Sequence, residues 1–162
     1  MIVVCDTSPI CYLLLINQIE VLPQLFKQVI IPQAVQDELL AEGAAAVIQS
    51  WISQPPPWLE IRSVSVVLTE LPEKLGAGER EAISLAVSLD AALIVLDDFD
   101  ARQASFSVGL TVTGLLGVLY QAGLQGLIDF PSAIKQLQQT TFRASPTLIQ
   151  SLLEQYWKSL EQ

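Results

Sequence analysis

Short apolar runs rich in β-branched residues alternate along the chain with stretches whose apolar residues recur every three to four positions. The first pattern is typical of buried strands and the second of amphipathic helices. The predicted strands are Met1–Cys5, Val29–Ile31, Trp58–Val67 at a sheet edge, Ala91–Leu96 and Leu110–Thr113. The predicted helices cover residues 8–16, 22–26, 33–40, 44–53, 79–89, 101–108, 114–122, 131–137 and 145–160. This alternation predicts an α/β fold, a three-layer α/β/α sandwich around a mostly parallel sheet.

Acidic residues follow two of the predicted strands at the point where each strand ends. Asp6 follows the first strand, and the fourth is followed by Asp97, Asp98 and Asp100. Because the carboxyl ends of parallel strands meet at one edge of a sheet, we expect these acids to lie together there. Helix capping explains one acid at each place but not three. A purely structural alternative for the first stretch is that Asp6 and Ser8 only cap the next helix.

Two predicted helices each contribute a further acid that faces inward. Glu38 lies on the apolar face of its helix, whereas Asp37 points away. Glu79 lies within the apolar stripe of its helix, and Glu81 lies at the edge of that stripe or outside it. A carboxylate in an apolar stripe requires a partner. The alternative is a first-turn glutamate that complements the helix dipole.

A cluster of these acids would be strongly repulsive. One pair of carboxylates ~4 Å apart costs on the order of 4 kcal/mol at an effective dielectric near 20. The cluster is tolerable if some acids are protonated or if hard cations lie between them. Ligand sets that contain only oxygen suit Mg²⁺ or Mn²⁺.

Charge and composition restrict the chemistry further. The net charge of −9 argues against a broad basic surface that grips nucleic acid, although it is compatible with a nuclease whose acids bind cations. The chain contains no His, which excludes triads with an imidazole base and argues against an ordinary zinc site. Carboxylates must therefore carry any catalysis.

The length of 162 residues predicts a single domain over residues 1–162. The hydrophobic fraction of 51% favours a homodimer or higher oligomer, with the helix at 145–160 packing either on its own domain or at a subunit interface. We find neither a membrane span nor a signal peptide, and we expect a cytoplasmic protein. Cys5 and Cys11 are expected to be inert core thiols.

Four segments in collinear order resemble the PIN-domain metal-dependent nucleases and, within them, the VapC-like toxin branch. These segments are Val3–Ile10, Ile31–Leu39, Gly78–Ile83 and Leu96–Arg102, and Val112–Leu119 matches a turn and helix typical of an uncharacterised subgroup. The resemblance implies a sheet of four or five parallel strands and an endonuclease that cleaves single-stranded RNA. It also implies a toxin paired with a small antitoxin protein.

The resemblance further implies roles for individual residues. The residues that would hold Mg²⁺ or Mn²⁺ and form the catalytic set are Asp6, Glu38, Glu79 and one of Asp97 or Asp98. Asp98 is favoured because many relatives have a hydroxyl residue, one spacer and then the acid; Leu96 replaces that hydroxyl here, and Leu115 replaces a common Thr. Supporting roles fall to Thr7, Ser8, Asp100 and Arg102. Arg102 either contacts phosphate or, as we favour, is a surface helix charge.

The alternative function is that of a binding protein that retains the PIN scaffold while its nuclease activity is weak or lost. The presence of all the acids argues against complete loss. Metal binding discriminates between the two functions, because a scaffold without a working site has no reason to bind Mn²⁺ at the acids.

Overall fold

The computed structural model describes residues 1–162 and contains a five-stranded sheet. The strands are β1 (Val3–Cys5), β2 (Val29–Pro32), β3 (Leu59–Arg62), β4 (Leu93–Val95) and β5 (Val112–Thr113). Their order in the sheet is β3-β2-β1-β4-β5, and every neighbouring pair is parallel. The apolar run at the start of the chain is therefore the central strand.

Nine helices connect the strands and complete the chain. They are α1 (Thr7–Leu15), α2 (Val21–Phe26), α3 (Gln33–Leu40), α4 (Ala46–Ser53), α5 (Ala77–Ser88), α6 (Phe99–Ser107), α7 (Leu115–Leu124), α8 (Phe130–Gln138) and α9 (Pro146–Leu160). Connections between parallel strands cross the sheet, which places helices on both of its faces. The predicted three-layer α/β/α sandwich is confirmed. No helix combines the length and the apolar character that crossing a bilayer requires.

Side chains of the central strands alternate between two hydrophobic cores. Val3 and Cys5 of β1 contribute to the larger core, and Val4 contributes to the smaller one. In β4, Val95 belongs to the larger core and Ile94 to the smaller. Helices α1, α2, α3, α4, α7, α8 and α9 contribute to the larger core, and α5 and α6 contribute to the smaller one. Burial on both faces explains why these strands are continuous apolar runs.

Strand β3 lies at the sheet edge but is shorter than the predicted strand over Trp58–Val67. It pairs only with β2, and the last pair in the register joins Pro32 to Arg62. Since β2 ends at Pro32, residues beyond Arg62 have no neighbouring strand to pair with, and the chain leaves the sheet. The prediction of a strand over residues 63–67 is wrong for this reason.

Helix α9 packs on its own domain through one face. Its N-terminus is capped by Ser145, whose Oγ accepts a hydrogen bond from the Leu148 amide at 3.0 Å. Tyr156 is buried against Phe130 of α8, with ring centroids 5.3 Å apart. Trp157 on the other face is exposed. Helix α9 thus packs on its own domain through the face that carries Tyr156, while its place at a subunit interface and the homodimer stay predictions.

Candidate active site

A cleft of about 420 Å³, the acidic cleft, opens at the carboxyl edge of the sheet. Its lining includes four acids singled out from the sequence, which are Asp6, Glu38, Glu79 and Asp98. The other lining residues are Thr7, Ser8, Cys11, Tyr12, Leu15 and Thr141. The fold thus brings together carboxylates from the β1–α1 junction, α3, α5 and the β4–α6 junction.

Asp6 lies in the acidic cleft because it directly follows the central strand β1. Its amide donates a hydrogen bond to the Val95 carbonyl at 2.9 Å, which brings Asp6 alongside the acids that follow β4. The residue is only 6% exposed. It occupies the N-cap position of α1, yet its carboxylate accepts no capping hydrogen bond. Helix capping therefore does not account for this buried acid.

The two adjacent acids after β4 have different surroundings. Asp98 lines the acidic cleft and also caps α6, since its Oδ2 accepts a hydrogen bond from the Ala101 amide at 3.0 Å. Asp97 does not line this cleft, and its Oδ1 accepts a hydrogen bond from the Leu115 amide at the start of α7, at 3.0 Å. Of the two alternatives left open by the sequence, the structure places Asp98 with the other three acids.

Two residues expected to support the site lie outside the acidic cleft. Asp100 forms a salt bridge with Lys74, whose Nζ is 3.0 Å from Oδ1. Arg102 is half-buried, and its Nη1 donates a hydrogen bond to the Leu96 carbonyl at 3.2 Å. Arg102 is thus not the surface helix charge that we expected, because its guanidinium reaches back to the end of β4.

Glu38 is held in place by contacts from two other helices. The Thr7 hydroxyl of α1 donates a hydrogen bond to Glu38 Oε2 at 3.2 Å. On α5, Glu81 Oε1 accepts a hydrogen bond from the Ala34 amide at 3.0 Å. This contact caps α3, whose N-cap residue Pro32 supplies no side-chain acceptor. Glu81 therefore lies outside the acidic cleft and fixes the helix that carries Glu38.

Gly78 allows α5 to approach α3 closely. A Cβ placed on Gly78 would lie 2.9 Å from Glu38 Cδ and nearer still to Oε2, so only glycine leaves room for this carboxylate. The sequence pattern predicts a helix that begins at residue 79, but α5 already begins at Ala77, and Gly78 belongs to the helix. The position of Gly78 directly before Glu79 was the sequence signal for this close packing beside the site.

Burial raises the pKa values of the acids in the cleft. Burial, with a further contribution from the nearby Glu38 carboxylate, raises the pKa of Asp6 to about 6. Burial, followed by the charges of Asp98 and Asp6, raises the pKa of Glu79 to about 7. The pKa of Glu38 is also raised by burial. Near neutral pH, protons therefore compete with any cation for these oxygens.

The donor set fits a hard divalent cation, although the acids do not form a closed cage. No three His, Cys, Asp or Glu side chains converge as a ready-made ion site. The four acids nevertheless offer only oxygen donors, which hard cations prefer. Glu79 Oε2 is buried and has no hydrogen-bond partner, so it is an acceptor that a cation would satisfy. Binding would therefore require the carboxylates to move closer together.

Four residues of the acidic cleft were not singled out from the sequence as site residues. They are Cys11, Tyr12, Leu15 and Thr141. The first three follow Thr7 and Ser8 by one or two turns of α1, so helical periodicity was an available signal. Thr141 lies far along the chain, and no local pattern marks it. Because Cys11 is half-buried in the cleft wall, the expectation of two core thiols holds only for Cys5.

Comparisons with known proteins agree with this fold. A family model described as a PIN domain matches residues 2–158. No curated protein matches the chain significantly. Among solved structures, the chain is similar to a PilT N-terminus domain protein from the hyperthermophilic archaeon Sulfolobus solfataricus P2, with a TM-score of 0.56 and 18% identity. The match covers 75% of this chain and 93% of the archaeal chain, and it supports the fold alone.

Proposed function

The chain belongs to the PIN domain family, and on that premise we propose that it is a Mg²⁺- or Mn²⁺-dependent endoribonuclease that cleaves single-stranded RNA. PIN domains are generally nucleases and generally use divalent metals. The observation that carries the proposal is the convergence of four carboxylates from four different elements in one cleft. This arrangement supports phosphodiester hydrolysis because it offers four oxygen donors to a hard cation in one cleft.

The residues that would hold the cation are Asp6, Glu38, Glu79 and Asp98. When bound, a divalent cation activates water and offsets the negative charge that develops on the phosphodiester. Asp6 contributes a carboxylate directly after the central strand, and the Thr7 hydrogen bond orients Glu38. Glu79 adds the buried Oε2, an acceptor that has no hydrogen-bond partner in the metal-free protein.

We extend the proposal to the role of a toxin with a small antitoxin partner, and to a homodimer. The VapC-like resemblance supports the toxin role, and the exposed face of α9 with Trp157 supports the dimer. A neighbouring open reading frame for a small protein would support the toxin role, and the absence of such a frame would argue against that role. A monomeric mass at micromolar concentration in sedimentation experiments would contradict the homodimer.

Mg²⁺ or Mn²⁺ is expected to raise the melting temperature, and by more at about pH 7.5 than at about pH 5. The pKa of Asp6 is raised to about 6 in the folded metal-free protein, so the stability that its proton contributes is lost as pH rises through that value. Deprotonation also frees the ligand for metal. A hundredfold excess over Kd adds roughly 2.7 kcal/mol of stability. Asp6→Asn should abolish most of this gain in a thermal melt, and an equal response in both proteins would place the metal elsewhere.

Purified protein is expected to cleave a single-stranded oligoribonucleotide when Mn²⁺ or Mg²⁺ is present, and a chelator should stop the reaction. The physical reason is that the cleft holds no His or Lys that could replace the cation in activating water. Gel analysis of the products with and without chelator measures this. Cleavage that continues in chelator would rule out the proposed chemistry. Metal binding without cleavage would favour a PIN-scaffold binding protein.

A further inference from the structure

A second cleft, of about 450 Å³, adjoins the acidic cleft at the carboxyl edge of the sheet, and we call it the arginine cleft. No residue lines both clefts, but at two places residues adjacent in the chain line one cleft each. Asp98 lines the acidic cleft and Asp97 the arginine cleft, and Thr141 lines the acidic cleft while Phe142 and Arg143 line the arginine cleft. The two clefts therefore lie next to each other at these two places.

The arginine cleft contains two of the eight basic residues of the chain, Arg102 and Arg143. Arg143 is exposed and forms no salt bridge. Three other cations are engaged elsewhere: Arg62 with Glu60, Lys74 with Asp100, and Arg80 with the carbonyls of Leu75 and Pro72. The remaining ones, Lys27, Lys135 and Lys158, line neither cleft. In a chain of net charge −9, uncommitted positive charge thus lies directly beside the acids.

The segment that carries Arg143 is fixed relative to the acidic cleft. The Tyr12 and Thr141 hydroxyls form a hydrogen bond of 2.9 Å, and the Tyr12 and Phe142 rings pack edge to face with centroids 5.3 Å apart. Tyr12 lies on α1, the helix that begins directly after Asp6. Arg143 is therefore held beside the acidic cleft by contacts at the two residues before it.

We propose that the arginine cleft binds the phosphodiester backbone of single-stranded RNA next to the phosphate that enters the acidic cleft. This inference rests on the proposed ribonuclease function. A polyanion that approaches four carboxylates needs compensating cations along its path, and a guanidinium binds phosphate through paired hydrogen bonds. Arg143 is a substrate-binding residue in this arrangement and takes no part in the chemistry. Arg102 lies in the same cleft as Asp97, whose carboxylate offsets part of its charge, so Arg143 is the free cation of the arginine cleft.

Arg143→Gln tests the proposal, with Lys135→Gln as the matched control that removes the same charge from an exposed residue of α8. Binding of a fluorescent single-stranded oligoribonucleotide is measured in Ca²⁺ over a range of salt concentrations, and KM and kcat are measured in Mn²⁺. Arg143→Gln should weaken binding and raise KM by about tenfold, with kcat unchanged. The slope of log Kd against log salt should fall by about 0.7, the value for one phosphate contact on a single strand. Lys135→Gln should match the parent.

The outcomes separate this proposal from the ribonuclease function. If the parent cleaves RNA and Arg143→Gln behaves like Lys135→Gln, the arginine cleft does not bind substrate, and the ribonuclease function stands. Binding that depends on Arg143 without any cleavage supports the cleft and overturns the ribonuclease function. A parent that binds no RNA overturns both. A fall in kcat at constant KM would place Arg143 in the chemistry and would also overturn its assigned role.

Discussion

Asp98→Asn is expected to lower the rate of RNA cleavage by several orders of magnitude while the protein stays folded. Asp98 has two functions in the structure, because it caps α6 through the Ala101 amide and places a carboxylate in the acidic cleft. Asn is as good an N-cap as Asp, so the substitution keeps the cap and removes only the charge. Single-turnover rates in Mn²⁺, together with the melting temperature of the metal-free protein, measure the two functions separately.

Asp97→Asn is the matched control for this experiment. Asp97 adjoins Asp98 in the chain but lies outside the acidic cleft, and an Asn oxygen can still accept the hydrogen bond from the Leu115 amide. We expect kcat close to that of the parent, with any change confined to KM because Asp97 also lines the arginine cleft. Loss of cleavage in Asp97→Asn alone would reverse the assignment of the ligand. Equal residual activity in the parent and in Asp98→Asn would indicate a contaminating ribonuclease, and the binding-scaffold function would then be the better explanation.

The four acids of the acidic cleft can be predicted from local patterns in the sequence. Asp6 directly follows one buried apolar run, and Asp97 and Asp98 follow another. Because parallel strands end at one edge of a sheet, the meeting of Asp6 with one of these two acids could be predicted without a structure. Glu38 and Glu79 could be predicted in the same way, from their positions on helical faces. Such predictions are possible because residues close in sequence determine where a strand ends and which face of a helix is buried.

Other features depend on contacts between distant segments and could not be predicted. The different environments of Asp97 and Asp98 are set by the Leu115 amide, which α7 brings to the end of β4. The early end of β3 depends on where β2 stops. Arg143 is placed by the packing of Phe142 on Tyr12, and these rings are separated by most of the chain. No periodicity within a window of residues carries this information.

The departures from the family pattern at Leu96 and Leu115 also have a structural explanation. Both side chains are fully buried in hydrophobic cores, Leu96 in the smaller and Leu115 in the larger. Their backbone groups make the polar contacts instead, since the Leu96 carbonyl accepts a hydrogen bond from Arg102 and the Leu115 amide donates one to Asp97. The loss of two hydroxyl groups therefore leaves the end of β4 with polar contacts, and it does not argue against an intact site.

Gly78→Ala is expected to reduce cleavage by about a hundredfold without unfolding the protein. The added Cβ would overlap the Glu38 carboxylate, the flexible end of a side chain, so that group can swing away while the backbones of α3 and α5 stay in place. Ala in a helix is favoured over Gly by about 1 kcal/mol, which offsets the cost of the shift. The cleft would then lose one of its four acids through displacement alone. The cleavage rate measures the effect of displacing Glu38, and the melting temperature measures the effect on stability.

Gly76→Ala is the control on the same segment. A Cβ at Gly76 would lie 3.5 Å from Glu79 Oε1, which is ordinary van der Waals contact, so this variant should cleave at close to the parental rate. Metal titration of Gly78→Ala adds an independent readout, because a displaced Glu38 should weaken the rise in melting temperature that Mn²⁺ produces in the parent. Full activity and an undiminished metal response in Gly78→Ala would show that the observed position of Glu38 is not needed, and Glu38 would then lose its place among the ligands.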